Sequence, residues 1–133
     1  MLAVDHGFTR TFKGVTYELA RQRIEVALKA EGFGVLTEID VKATFKAKLD
    51  VDFPNYLILG ACNPTLAHQA LSTEPGIGLL LPCNVVVTQD AAGDAVVSIL
   101  DPAAMMKLMP EATSLTALMS EARERLQRAL DKA

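Results

Sequence analysis

The segment YLILGACNP, residues 56–64, decides the fold of this chain. Residues 56–59 form an apolar run that is too short for a free-standing helix, so the run predicts a buried strand. Asn63 can accept a hydrogen bond from the first amides of a helix, and Pro64 suits the first helical position because it has no N–H to leave unpaired. The segment therefore predicts a strand that passes directly into a helix, with Cys62 at the junction.

The rest of the chain alternates between strand and helix in the same way. Apolar residues that recur every three or four positions predict helices from Thr16, from Pro64 and over the C-terminal segment that includes Leu115. The first of these helices is expected to end at Gly32, in a left-handed cap. Asp101-Pro102 repeats the cap-then-proline start and predicts a short helical piece up to Pro110. Asp40 opens a segment that fits either a helix or a continued strand, and helix formers such as Ala43 favour the helix. Strands are predicted at residues 8–13, 33–38 and 53–61, within 79–89, and at 95–100.

This pattern and the composition predict an α+β fold. Of 133 residues, 50% are hydrophobic and 22% are charged, so the chain can bury a core without a metal or a disulfide. No linker rich in Pro, Gly or Ser divides it. We expect a single two-layer domain over residues 1–133, with a mixed or antiparallel sheet of about five strands and helices packed largely on one face.

Charge and hydropathy exclude several classes of partner. The net charge is -3 and basic residues are interspersed with acidic ones, whereas nucleic-acid binders concentrate positive charge. Residues 1–6 lack the basic start and apolar core of a secretory signal. Apolar stretches such as residues 77–81 are far shorter than a membrane span. We therefore expect a cytoplasmic protein with no nucleic-acid and no membrane partner, and two cysteines without a signal sequence argue against a disulfide scaffold.

Two Cys-Asn pairs, Cys62-Asn63 and Cys83-Asn84, form the candidate site. Cys62 directly precedes a predicted helix, whose partial positive charge would lower the pKa of the thiol. Cys83 begins another strand, so both thiols lie at one sheet edge if the two strands are neighbours. The alternative is that both cysteines pack as small hydrophobic residues.

Glu38 and Asp40 extend the candidate site. They would share a face of a strand and could act as a carboxylate pair, but Asp40 is simply the cap if a helix begins there, and we favour the cap. No Cys-x-x-Cys or paired His is present, so no metal site is predicted. The sequence leaves any cofactor unidentified, since the chain lacks nucleotide-binding and hydrolase fingerprints.

The sequence resembles the bacterial and archaeal domain of unknown function family 302. The resemblance rests on residues 32–41 (GFGVLTEIDV), 60–64 (GACNP) and 81–87 (LPCNVVV), with Asp101-Pro102. It implies a compact two-layer α+β fold that tends to form homodimers, and it implies no activity. It marks as characteristic positions Glu38, Asp40, Cys62, Asn63, Cys83 and Asn84.

Three functional hypotheses follow. The first is a small homodimeric module that binds a ligand, such as a small molecule, or a partner without turnover, because no complete catalytic constellation is present. The second is a thiol-dependent or metal-dependent activity, in which Cys62 is the nucleophile or soft ligand, Cys83 the resolving thiol or second ligand, and Glu38 the proton acceptor. The third is a purely structural interaction domain.

Overall fold

A computed structural model describes residues 5–133 of the chain. The prediction that residues 1–6 form no secretory signal falls partly on residues 1–4, which lie outside the described residues. Within residues 5–133, five strands form one sheet in the order β1-β5-β4-β3-β2, and each neighbouring pair is antiparallel. The strands are β1 (Gly7–Phe12), β2 (Gly34–Asp40), β3 (Tyr56–Cys62), β4 (Cys83–Gln89) and β5 (Ala95–Leu100).

The helices lie between and after these strands, as the α+β prediction requires. They are α1 (Tyr17–Ala30), α2 (Val41–Leu49), α3 (Pro64–Thr73), the short α4 (Pro102–Met105) and α5 (Thr116–Lys132). Short 3-10 turns cover Pro75–Leu80, Met106–Leu108 and Thr113–Leu115. None of the described helices has both the length and the apolar character needed to cross a membrane.

The main core lies between one face of the sheet, here called the inner face, and helices α1 and α5. Ile24 of α1 and Leu126 of α5 are fully buried against it. On the sheet side the core takes alternate residues of the central strands, because successive side chains of a strand point to opposite faces. They are Leu57, Leu59, Val85, Val87, Val97 and Ile99.

The end of α1 shows how one glycine sets the chain path. Gly32 has φ +86°, a left-handed conformation in which a side chain would be strained. The Gly32 amide donates to the Lys29 carbonyl and the Phe33 amide donates to the Leu28 carbonyl, at 3.0 and 2.8 Å. These two bonds form a Schellman cap, which confirms the predicted stop and starts the chain into β2.

Helix α2 confirms a prediction. Asp40 caps it by accepting from the Ala43 amide at 2.9 Å, so the segment is helical as favoured. Its apolar residues Val41, Phe45 and Leu49 do not face the core, since no residue of α2 is buried. The ring of Phe45 instead contacts Phe53, edge to face, in the loop that leads to β3.

The other face of the sheet, here called the outer face, carries no charged side chain at the positions where its strands pair. Ser98 lies opposite both Thr9 and Val86, and its hydroxyl is 2.9 Å from the Thr9 hydroxyl. The solvated face of an antiparallel sheet normally carries polar side chains, and the polar side chains of this face are uncharged. The outer-face residues of the paired strands are Gly7, Thr9, Thr11, Gly34, Thr37, Ile39, Tyr56, Ile58, Gly60, Cys62, Asn84, Val86, Thr88, Val96, Ser98 and Leu100.

Candidate functional site

An apolar cavity of about 300 Å³ opens where β3 ends and β4 begins. We call it the thiol cavity, because Cys62 and Cys83 both line it. Helices α3 and α5 and the start of β2 complete its wall. Its lining residues are Phe33, Leu36, Thr37, Ala61, Cys62, Asn63, Leu66, Ala67, Ala70, Leu71, Leu81, Pro82, Cys83, Met119 and Ala122.

The cavity lies beside α3, which packs only partly onto the core: Ala70 belongs to a second buried cluster with Leu115 and Met119, and Leu66 packs against the main core. Sequence periodicity predicts that Leu66, Ala67, Ala70 and Leu71 form the inner face of this helix. Only Ala70 is buried, while Leu66 and Ala67 are half-buried and Leu71 is 40% exposed. All four line the thiol cavity, so part of the apolar face of α3 borders open space.

The two thiols come together through the pairing of β3 with β4. Ala61 of β3 lies directly opposite Cys83 of β4. Cys62 follows Ala61 in the chain, so it lies beside the start of β4. The peptide between Leu81 and Pro82, which leads into β4, is cis. Both cysteines are free thiols; Cys83 is buried and Cys62 is half-buried. The predicted meeting of the two cysteines at one end of the sheet is therefore what the structure shows.

The electrostatics of the thiols differ from the sequence-based expectation. Burial raises the pKa of Cys62 above its ordinary value, although a helix N-terminus was expected to lower it. Burial raises the pKa of Cys83 to about 11, and the neighbouring Cys62 adds to this effect. The charged form is disfavoured because the apolar wall provides no solvation for a thiolate. Both thiols are therefore protonated at neutral pH.

Asn63 is the most buried polar residue of the wall, with 6% of its surface exposed. Its Oδ1 accepts a hydrogen bond from the Leu66 amide at 3.1 Å, so it caps α3 as predicted. Pro64 occupies the first turn, also as predicted. Asn63 thus faces both the helix it caps and the cavity it lines.

The other three candidate residues lie outside the thiol cavity. Asn84 is exposed and lies on the outer face, because it alternates with Cys83 along β4. Glu38 forms an ion pair with Arg21 of α1, and Asp40 caps α2. The six residues therefore do not form one cluster, and Glu38 is not placed to take a proton from Cys62.

The donor set in the cavity is limited to sulfur and two uncharged polar side chains. Met119 brings a thioether to the same wall as Cys62 and Cys83, and three sulfurs are soft ligands. Within residues 5–133, no group of three or more His, Cys, Asp or Glu side chains is placed to hold a metal ion.

Sequence reasoning missed part of this wall. Phe33, Leu36 and Thr37 reach it from the start of β2, and the ladder between β2 and β3 is irregular between Val35 and Thr37. Met119 reaches it from α5. The period of two along a strand could have separated Asn84 from Cys83, but no sequence signal marks a bulge of this kind.

Comparisons with known proteins place the chain in a family. The profile of the domain of unknown function DUF302 matches residues 8–133. A crystal structure of an uncharacterized conserved DUF302 protein from Bacillus stearothermophilus is similar, with a TM-score of 0.86 and 29% sequence identity over 97% of this chain and 98% of that one. No curated protein matches the sequence. The chain belongs to the DUF302 family, as its Cys-Asn motifs had indicated.

Proposed function

We propose that this protein is a homodimeric binding module that holds a small ligand in the thiol cavity without converting it. The observation that carries the proposal is the cavity itself, about 300 Å³ of apolar space beside a helix whose apolar face is only partly packed. Ligand sites are typically concave and mostly apolar, with few polar groups, and their volumes begin at roughly this size.

The chemistry of the wall favours binding over catalysis. Burial raises the pKa of both Cys62 and Cys83, so neither is an activated nucleophile at neutral pH. No other ionisable side chain lines the cavity within residues 5–133, so no general base is available there. Glu38, the proton acceptor of the thiol-dependent alternative, is paired with Arg21 elsewhere.

Binding of an uncharged apolar fluorophore, N-phenyl-1-naphthylamine, tests the proposal. We expect saturable fluorescence enhancement with one site per chain, and loss of that enhancement in Ala67→Phe, which fills the cavity from α3. Ala117→Phe is the matched control, since Ala117 is exposed on α5 and does not line the cavity. Equal binding by the wild type and by both variants would show that the fluorophore sits elsewhere and would contradict the proposal.

The outer face supports the homodimer within this proposal. Val86 lies on the central strand of a face without charged side chains, and two such faces can meet around a twofold axis with no charge to desolvate. We expect a dimer in sedimentation and a monomer for Val86→Lys, while Ser120→Lys, exposed on α5, stays dimeric. A wild-type monomer at high protein concentration would defeat this part of the proposal.

The structural interaction domain, the third hypothesis, makes a different prediction for the same experiments. It requires no occupant of the thiol cavity, so Ala67→Phe would leave every binding property of the protein intact. The fluorophore titration therefore separates the two hypotheses directly.

A further inference from the structure

We infer that the ligand of the thiol cavity is a single-chain amphiphile, held with its apolar tail at the buried end of the cavity and its polar head at the mouth, beside Leu36. This inference rests on the proposed function, since it names the class of ligand for the same site. It follows from two properties of the wall: the burial of its residues differs from one end to the other, and none of the described side chains that line it is charged.

The exposure of the lining residues distinguishes the two ends of the cavity. At the mouth, Leu36 of β2 is 68% exposed and Leu71 of α3 is 40% exposed, although both line the cavity. Other lining residues are buried, so the cavity runs from water toward the interior of the protein. These buried residues are Phe33, Ala61, Asn63, Ala70, Cys83, Met119 and Ala122.

The buried end suits an apolar tail and excludes a charged group. Both thiols of the wall are protonated at neutral pH, and no charged side chain from the described part of the chain lines the cavity. A carboxylate or ammonium group there would lose its hydration and find no counterion. A tail instead gains about fourfold in affinity for each methylene that it removes from water.

The mouth suits a polar head for the opposite reason. A head group beside Leu36 and Leu71 stays in contact with water and keeps its hydration, so even a charged head is tolerated there. A wholly apolar ligand would leave its outer end against water. An amphiphile places its polar head at that point and buries only the tail, which matches the wall at both ends.

Two carboxylates that differ at one end test the orientation of the ligand. Octanoate has one charged end, and octanedioate has a charge at both ends of a chain of the same length. Calorimetry measures their dissociation constants below the concentrations at which micelles form. We expect octanedioate to bind at least about tenfold more weakly, because one of its carboxylates would have to enter the apolar end. Octylammonium, which carries the opposite charge on its head, should bind within about fivefold of octanoate, because both heads lie in water.

Leu36→Lys tests the position of the head. Leu36 is exposed, so lysine is compatible with folding and places a cation at the mouth. The ratio of the dissociation constant of octylammonium to that of octanoate should rise at least about twofold over the wild type, since the cation attracts one head and repels the other. Val26→Lys is the matched control, because Val26 is exposed on α1 and does not line the cavity; its ratio should stay at the wild-type value.

The outcomes separate this inference from the proposed function. Octanedioate that binds as tightly as octanoate, or equal ratios in Leu36→Lys and Val26→Lys, would overturn the inference alone. So would a protein that binds N-phenyl-1-naphthylamine in the cavity but binds neither octanoate nor octylammonium. Failure of the fluorophore and of both amphiphiles to bind would overturn the proposed function and the inference together.

Discussion

Gly32 and Asn63 are in close contact, although 31 positions of sequence separate them. A Cβ placed on Gly32 would lie 2.8 Å from Nδ2 of Asn63 and 3.3 Å from Nη1 of Arg125. The end of α1 therefore packs against the beginning of α3, and the contact requires a residue without a side chain. The same glycine has the positive φ that closes α1.

Gly32→Ala tests this contact, and Gly14→Ala is its control. Both glycines have positive φ, +86° and +70°, but nothing lies within 4 Å of a Cβ on Gly14. We expect Gly14→Ala to lower the free energy of unfolding by about 1 kcal/mol, the cost of a left-handed alanine. Gly32→Ala should cost at least about 1 kcal/mol more in urea denaturation, because it also displaces Asn63. Equal costs would show that the contact is unimportant.

The cap of α3 gives a second prediction. Asn63→Ala removes the bond to the Leu66 amide and should lower the free energy of unfolding by about 1 kcal/mol, whereas Asn63→Ser, which keeps an uncharged acceptor for the cap, should cost less. Chemical denaturation followed by circular dichroism measures both. If the two variants lose the same stability, the side chain contributes through something other than the cap.

The buried thiol of Cys83 gives a pH dependence with a defined sign. Its pKa rises to about 11 in the folded state, so the unfolded chain loses this proton first as the pH increases. The free energy of unfolding should therefore be insensitive to this group below about pH 9 and should fall between pH 9 and 11, by at most about 2–3 kcal/mol. Denaturation of Cys83→Ala across the same range is the control, and its slope should be shallower. Identical slopes would contradict the account.

Glu38 should have no influence on the thiols. It pairs with Arg21 and does not line the thiol cavity, so Glu38→Gln should leave the alkylation rate of Cys62 unchanged in a Cys83→Ala background. Glu25→Gln is the matched control, because Glu25 also bonds Arg21, at 3.2 Å. A rate for Glu38→Gln that differs from this control by more than about threefold, with iodoacetamide as the probe, would restore Glu38 to the site.

Local signals in the sequence predict the elements well. Helix ends depend on interactions within a few residues, so the sequence alone predicts them. They are the N-terminal caps at Asp40, Asn63 and Asp101 and the C-terminal cap at Gly32. The pairing of β3 with β4 brings Cys62 and Cys83 to the same end of the sheet. This pairing depends on contacts between residues distant in sequence, so the sequence alone predicts it only on the condition that the two strands are neighbours.

The cavity is harder to predict, for a physical reason. The spacing of Leu66, Ala67 and Ala70 defines an apolar face, and that pattern is the same whether the face packs onto a core or lines open space. For Val41 and Leu49 the same pattern belongs to a helix with no buried residue. Periodicity reports which side of a helix is apolar, and the tertiary arrangement decides what that side contacts.

A crystal soaked in bromobenzene tests the central claim, that the thiol cavity binds apolar groups, most directly. Apolar cavities of adequate size accept such molecules, and the bromine is located by its anomalous scattering. We expect one bromine peak per chain inside the cavity, in contact with Leu66 and Cys83. Peaks confined to the outer face or the protein surface, with the thiol cavity empty at a saturating soak, would contradict the claim.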